Sequence, residues 1–431
     1  MYTEMLSQLA LSSIFGTIWE YIKIVLGWVM QGCYYVLDLL GIENLAVCII
    51  LFTIVIYSIL LPLQIKNARF QKLNSVMNPE IQAISRKYKN KTDNESRMKQ
   101  QQELSDVYEK YGTSPTGGCL NSFIQLPILF AVYRVLYNVP NYVKSIAGLF
   151  KSLIAETSTI SSFSDKFLEM AKASDNVLLS NSVRNIETVT ESNLPNIFYQ
   201  FRSTDWKSFT DAFPSINSAI ESTKSTLDHV NNFFGVSISE TPSLILKNNW
   251  SAHHYGFVAI AILIPVLSGV TQWLSSKVVQ QPQTASDNKD DTAAAMASSM
   301  KTMMVIMPIF SIYICYTLPL GIGIYWTMSA VYRTVSQIFI NKKMNKVSIE
   351  SLIEKNQEKI NKKRKKKGLP PKQVSQGARI NTKNIKPNDT VVSNKSKEDI
   401  KKSATESNRT YTSIRDKVNM VQDYNERNKK K

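Results

Sequence analysis

Cysteine and histidine are scarce in this chain of 431 residues, at four and three. Cys33, Cys48, Cys119 and Cys315 lie mostly within or beside apolar runs, in neither metal-ligand spacing nor a disulfide framework, and read as small core hydrophobes. His229, His253 and His254 share one segment, with no ligand spacing elsewhere, so no metal is expected. A phosphate-cradling glycine loop is lacking, and so is a nucleophile constellation; the sequence reads as no enzyme and calls for no cofactor. Acid is also in short supply, 34 Asp and Glu against 51 Lys and Arg, a net charge of +17. A mean hydropathy of −0.14 hides the deepest deficit, which is of charge inside four long apolar regions.

Those regions run uncharged for 22 residues between Glu43 and Lys66, 23 between Lys110 and Arg134, 22 between His254 and Lys277, and 31 between Lys301 and Arg333. One bilayer crossing takes about 20 apolar residues. The last region is therefore two crossings, turned at Leu318-Pro319-Leu320-Gly321. The expected fold is an all-α integral membrane protein of five spans, at 44–63, 119–140, 256–276, 302–319 and 321–341. Residues 18–40 are apolar but carry Glu20, Lys23 and Asp38. A sixth crossing and an amphipathic helix lying on the surface are both open there, and the charges favour the surface helix within an exterior segment 1–43.

Charge orients the spans, because Lys and Arg accumulate on the cytoplasmic side. Segment 64–119 holds 10 basic and 6 acidic residues, 141–255 holds 9 and 11, and 342–431 holds 26 and 10. The N-terminus and the 141–255 insertion then face outside, and the C-terminus is cytoplasmic. This places the chain in a cell membrane as a multi-pass protein.

Between the spans, 64–118 reads as a cytoplasmic helical hairpin. Ile81, Ile84 and Tyr88 repeat at helical spacing, as do Leu104, Val107, Tyr108 and Tyr111, with Asp93 or Asn94 as a cap. Insertion 141–255 reads as a mainly helical exterior domain, with helical patterns near 161–172 and 215–233. Residues 277–301 form a cytoplasmic loop. The tail continues the last helix to about Lys367, and Gly368-Leu369-Pro370-Pro371 stops it; the remainder is polar and reads as disordered. Its run Lys362, Lys363, Arg364, Lys365, Lys366 and Lys367 suits anionic lipid or ribosomal RNA, and composition alone favours lipid.

The order of elements and five local strings resemble the YidC/Oxa/Alb insertases over roughly 18–140 and 255–345. Ser114-Pro115-Thr116-Gly117-Gly118-Cys119 followed by Ile124-Gln125-Leu126-Pro127-Ile128 resembles the family's Asn-Pro-x-x-Gly-Cys and Gln-x-Pro-Ile signature. Leu60-Leu61-Pro62-Leu63, Met307-Pro308, Pro319-x-Gly321 and Tyr325-Trp326 follow in family order. The resemblance implies an insertase without nucleotide hydrolysis, whose spans form a polar groove open to cytoplasm and lipid. Its implied partners are nascent membrane proteins, membrane lipid, the ribosome through the basic tail, and the general secretion channel. The long 141–255 insertion is atypical of the family.

Where the family places a groove arginine, five positions before the first span's proline, this chain has Tyr57. Tyr57 lies 13 residues below Asn44 and Arg333 lies 12 below Gly321, so at about 1.5 Å per residue the two share a layer. Arg333 is thus the expected replacement, whereas Arg134, 15 residues along its span from Cys119, snorkels near the outer face. Trp326, seven residues before Arg333, matches a groove aromatic of the family; Tyr325, Gln125 and Gln272 complete the expected groove set. Plainer roles compete: an anchoring cation for Arg333, an interfacial belt for Trp326 and Tyr325, helix–helix glue for both glutamines. A transporter would pair charges across spans or show an inverted repeat, and a scaffold would depend on the tail; the spans contain almost no acids.

Overall fold

The computed structural model describes residues 2–89, 91, 93–114, 119–279, 291–366 and 368, all within one compact unit, 1–378. Side chains of 2–15, 18, 119–126, 129, 291–301, 303 and 363 fall outside the description. The architecture is mostly helical. By length and composition three helices can cross a membrane, Trp19–Leu39, Leu45–Lys87 and Tyr255–Val279, and Met304–Thr317 is a shorter apolar stretch.

Helix α1 (Tyr2–Leu39) precedes α2 (Leu45–Lys87), whose cap is Asn44 accepting from Val47 N at 3.1 Å. The sequence sets a boundary at residues 63 and 64, yet α2 runs unbroken through Pro62 and Pro79 into the hairpin. Its apolar span continues as a polar rod that accommodates Pro79 without ending. Asp93 caps α3 (Asn94–Lys110) by accepting from Ser96 N at 2.8 Å, and α4 is Cys119–Tyr137.

Insertion 141–255 is mainly helical. Short helices α5 (Lys144–Gly148), α6 (Lys151–Thr157), α7 (Phe163–Ala173), α8 (Val177–Val183), α9 (Leu194–Tyr199), α10 (Ser203–Ala212), α11 (Asn217–Val230) and α12 (Pro242–Trp250) enclose an aromatic core. Phe163, Phe167, Phe198, Phe201, Trp206, Phe209 and Phe213 stack with neighbouring ring centroids 5.0 to 6.4 Å apart. Each such pair adds about 0.5–1.5 kcal/mol beyond area burial. A two-stranded hairpin, β1 (Asn232–Phe233) with β2 (Val236–Ser237), joins α11 to α12.

Helices α13 (Tyr255–Val279), α14 (Asp291–Thr317) and α15 (Leu320–Asn345) pack together. Helix α14 starts well inside the stretch expected to be the 277–301 loop. Pro319 gives α15 no side-chain cap; Leu320 N donates to Glu240 O at 2.8 Å and Gly321 N to Ile238 O at 2.9 Å. The insertion's own backbone thus satisfies the first two orphan amides of this helix start.

The expected continuous last helix is broken. Helix α15 ends at Asn345 and α16 (Ile349–Lys366) begins anew, with Ser348 Oγ accepting from Ser351 N. Lys72 Nζ donates to Met344 O at 2.6 Å and Val347 O at 2.7 Å, taking carbonyls that would otherwise carry the helix on. The break lets Leu352 and Ile353 pack with Leu73, Met77, Val107 and Tyr111, so α16 shares the hairpin's core. Residues 369–431 lie outside the described residues.

Candidate functional site

Close packing of α13, α14 and α15 aims the site. A Cβ added to Gly269 would lie 2.5 Å from Ile312 Cγ1, and one on Gly323 would lie 3.2 Å from Ile264 Cγ2. Ser268 Oγ and Ser311 Oγ share a 2.6 Å hydrogen bond, and Cys315 Sγ donates to Ser268 Oγ at 3.1 Å. Small residues let the backbones approach and the hydroxyls tie them.

One turn further along, α15 turns a polar edge toward α13. Arg333 Nε donates to Ser329 O at 3.3 Å and Nη2 to Gln272 Oε1 at 3.1 Å. A helical side chain leans toward its own N-terminus, and Arg333 does so, back toward Trp326. Guanidinium offers five donors, so these two bonds leave three for another occupant. Among the described residues no carboxylate pairs with Arg333. Below it Gln337 Nε2 donates to Asn341 Oδ1 at 2.8 Å, and Asn341 Nδ2 to Val278 O at 3.1 Å. Arg333, Gln337 and Asn341, spaced by four, make a polar seam descending the α13–α15 junction.

On the side facing α2, Tyr57 is buried with its ring centroid 5.8 Å from that of Tyr332, and it adjoins Tyr325. Ser58 Oγ and Tyr332 OH are 2.8 Å apart. Trp326 Nε1 and Thr327 Oγ1 are buried without a partner among the described residues. Beneath Tyr332 a cavity of about 410 Å³ opens between α2 and α15, lined by Leu61, Ile65, Val335, Phe339, Ile340 and Lys343 among others. Polar groups thus sit at the head of an apolar cleft.

The structure brings together Arg333, Gln272, Trp326, Tyr325 and Tyr57 around α15. Arg134 stands apart, exposed on α4 and near Tyr142. Gln125 lies on α4, but its side chain is outside the described residues. Sequence reasoning missed Ser58, Tyr332, Gln337 and Asn341. Tyr332 follows Tyr325 by seven and Gln337 follows Arg333 by four, a spacing that marks the same two helix edges.

The hairpin is stitched by two acids, each serving a Lys and a Tyr. Glu103 Oε1 accepts from Lys87 Nζ and Tyr88 OH, and Glu80 Oε1 from Lys110 Nζ and Tyr111 OH. The bond from Lys87 holds the Glu103 carboxyl below its ordinary range, while burial beside Glu80 pushes the Tyr111 phenol up. Of the basic run, Lys362, Lys365 and Lys366 are exposed on α16 and Arg364 is half-buried. The first three border a cavity of about 690 Å³ against Gly112. The Lys363 side chain and Lys367 lie outside the described residues.

The family model described as 60Kd inner membrane protein matches residues 36–189 and 209–347. The chain is 38% identical over 102 residues to membrane protein insertase YidC 2 of Bacillus anthracis, covering 24% of this chain and 39% of that one. It is 39% identical over 102 residues to membrane protein insertase MisCA of Bacillus subtilis, covering 24% and 38%. With membrane protein insertase YidC of Clostridium perfringens the figures are 40% over 107 residues, covering 25% and 43%. The match thus spans about two fifths of the length of these curated relatives.

Proposed function

Because the chain belongs to the 60Kd inner membrane protein family, that of the YidC-type insertases, we propose that it inserts apolar segments of newly made proteins into the bilayer without nucleotide hydrolysis. One observation carries the reading: among the described residues Arg333 is held between α13 and α15 by neutral partners, with donors to spare, while an apolar cleft opens on the α2 side of α15. A charged residue crossing hydrocarbon costs about 2.5–3.5 kcal/mol even on the lenient insertion scale. The Arg333–Gln337–Asn341 seam offers a passing polar loop donors and acceptors part of the way. The client's apolar segment then leaves for lipid, driven by burial of its own surface.

In this reading α2, α4, α13, α14 and α15 are the five spans, with the insertion outside and the hairpin, α16 and tail in the cytoplasm. Helix α1 lies across the outer surface. Met30 meets Cys48, about 5 Å into α2, although about 13 Å of helix still separates Met30 from the end of α1, so the two cross at an angle. Residues 27 and 31 touch Tyr142 and Lys144, just past α4. The hairpin receives clients, and Lys362, Arg364, Lys365 and Lys366 meet the ribosome or anionic lipid. The secretion channel is the remaining partner of this reading.

Reconstitution tests it. The full chain in vesicles, given a translated single-span client, should render the client's tail resistant to added protease without ATP. A client that stays fully digestible sinks the proposal. Deleting 350–431, which removes the basic run 362–367 with the rest of the tail, separates an insertase from a tail-dependent scaffold: the insertase keeps inserting small clients and loses salt-sensitive ribosome binding.

A further inference from the structure

We infer that the Asn232–Ser237 hairpin of the insertion is a lipid anchor, and that Phe234 enters the outer leaflet beside α13. The inference rests on the reading that α2 and α13 cross the bilayer. Two contacts fix the hairpin's depth. Asn44 Nδ2 donates to Asn232 O at 2.7 Å, and a Cβ on Gly235 would lie 2.8 Å from Phe257 Cε1. From Phe257 to Lys277 is 20 residues, about 30 Å of helix, the thickness of a hydrocarbon core. Asn44 to Lys66 gives about 33 Å by the same rise. The base of the hairpin at Asn232 and its turn at Gly235 therefore sit at one hydrocarbon boundary, measured along two separate helices.

At that level the chain displays apolar surface. Phe234 is 77% exposed, and Trp250 and Tyr255, which flank the entry to α13, are each 61% exposed. Aromatic rings favour this boundary. The turn is built at a conformational cost to show its ring. Phe234 has φ +51° and Gly235 φ +89°, closed by Asn232 Oδ1 accepting from Gly235 N at 2.9 Å. Two successive left-handed residues suit Asn-Gly, and a phenylalanine in the first place is strained. Residues 231–246 contain Glu240 and no Lys or Arg, so attachment is apolar, not electrostatic.

The experiment uses the full chain in phosphatidylcholine vesicles doped with photoactivatable phosphatidylcholine. The diazirine is placed either near the glycerol end of the acyl chain or at its far end. The near-end probe should label Phe234 and Trp250, and the far-end probe should label mid-α13 around Val266, with several-fold fewer adducts on the hairpin. Exchange to anionic lipid or added salt should leave the hairpin yield unchanged. Labelled α13 with a bare hairpin overturns the anchor, as does a salt-dependent yield. An unlabelled α13 overturns the span reading beneath it. Phe234→Asn suits the turn, so the fold should persist with several-fold fewer hairpin adducts; an unchanged yield removes Phe234 as the anchor.

Discussion

Arg333 Nη2 donates to Gln272 Oε1 at 3.1 Å, so the cation at the head of the α13–α15 seam is held by a neutral amide. An acid in that position would quench the charge, whereas Gln272 orients it and leaves it available. Arg333→Ala should lower insertion of clients with acidic tails several-fold, and Tyr57→Arg added to it should restore part of the loss, since Tyr57 shares its layer. Protease protection of the client tail in vesicles measures both. Normal insertion by Arg333→Ala alone would show that the charge serves anchoring only.

Lys72 makes the turn that sends α16 back onto the hairpin, and Leu352 is a buried apolar side chain of the core that keeps it there. Leu352→Ala should cost about 2–5 kcal/mol of that packing. Lys72→Met should release the Met344 and Val347 carbonyls and loosen the same contact. Limited trypsin digestion reads both, as faster cleavage near Lys346. Equal cleavage rates in wild type and Leu352→Ala would mean that α16 does not depend on this core.

How far the sequence reveals this architecture depends on which force sets each feature. Length and charge deficit are local, so the apolar regions, the Asp93 cap and the helices near 163–173 and 217–230 are legible. The site is half legible. Arg333 and Gln272 stand out as polar residues in apolar runs, but nothing local pairs them across α13 and α15. The α15–α16 break is invisible, because its cause, Lys72, comes from 272 positions away. The same holds for the α15 start, whose first two amides, of Leu320 and Gly321, are satisfied by the distant Glu240 and Ile238 carbonyls.

Glu240 gives the insertion a pH dependence. Burial raises its carboxyl above the ordinary range, against the lowering pull of the Ser203 amide on Oε1. A folded-state value above the unfolded one contributes stability below the unfolded value, and that contribution is lost as pH rises through the folded one. At neutral pH the ionised group therefore opposes folding. Glu240→Gln keeps the Ser203 bond and removes the charge, so it should raise the thermal midpoint of the full chain at pH 7, with the gain shrinking on acidification. A gain that grows toward low pH would reverse the assignment.

Two glycines rank the tightness of the bundle. A methyl at Gly269 meets Ile312 Cγ1 at 2.5 Å and Pro308 O at 3.3 Å, so both a side chain and a backbone must give way. A methyl at Gly323 meets Ile264 Cγ2 at 3.2 Å, a distance that a small rotation relieves. Overpacking of this kind costs about 1–3 kcal/mol, and Gly269→Ala should fall at the upper end with Gly323→Ala below it. Gly269→Ala should also strain the Ser268–Ser311 bond next to it, coupling the two sites in a double-mutant cycle with Ser311→Ala. Unfolding in detergent with increasing denaturant measures the order. If Gly323→Ala proves the more damaging, then α15 rather than α14 is the helix pressed hardest against α13, and the seam below Arg333 is set by that contact instead.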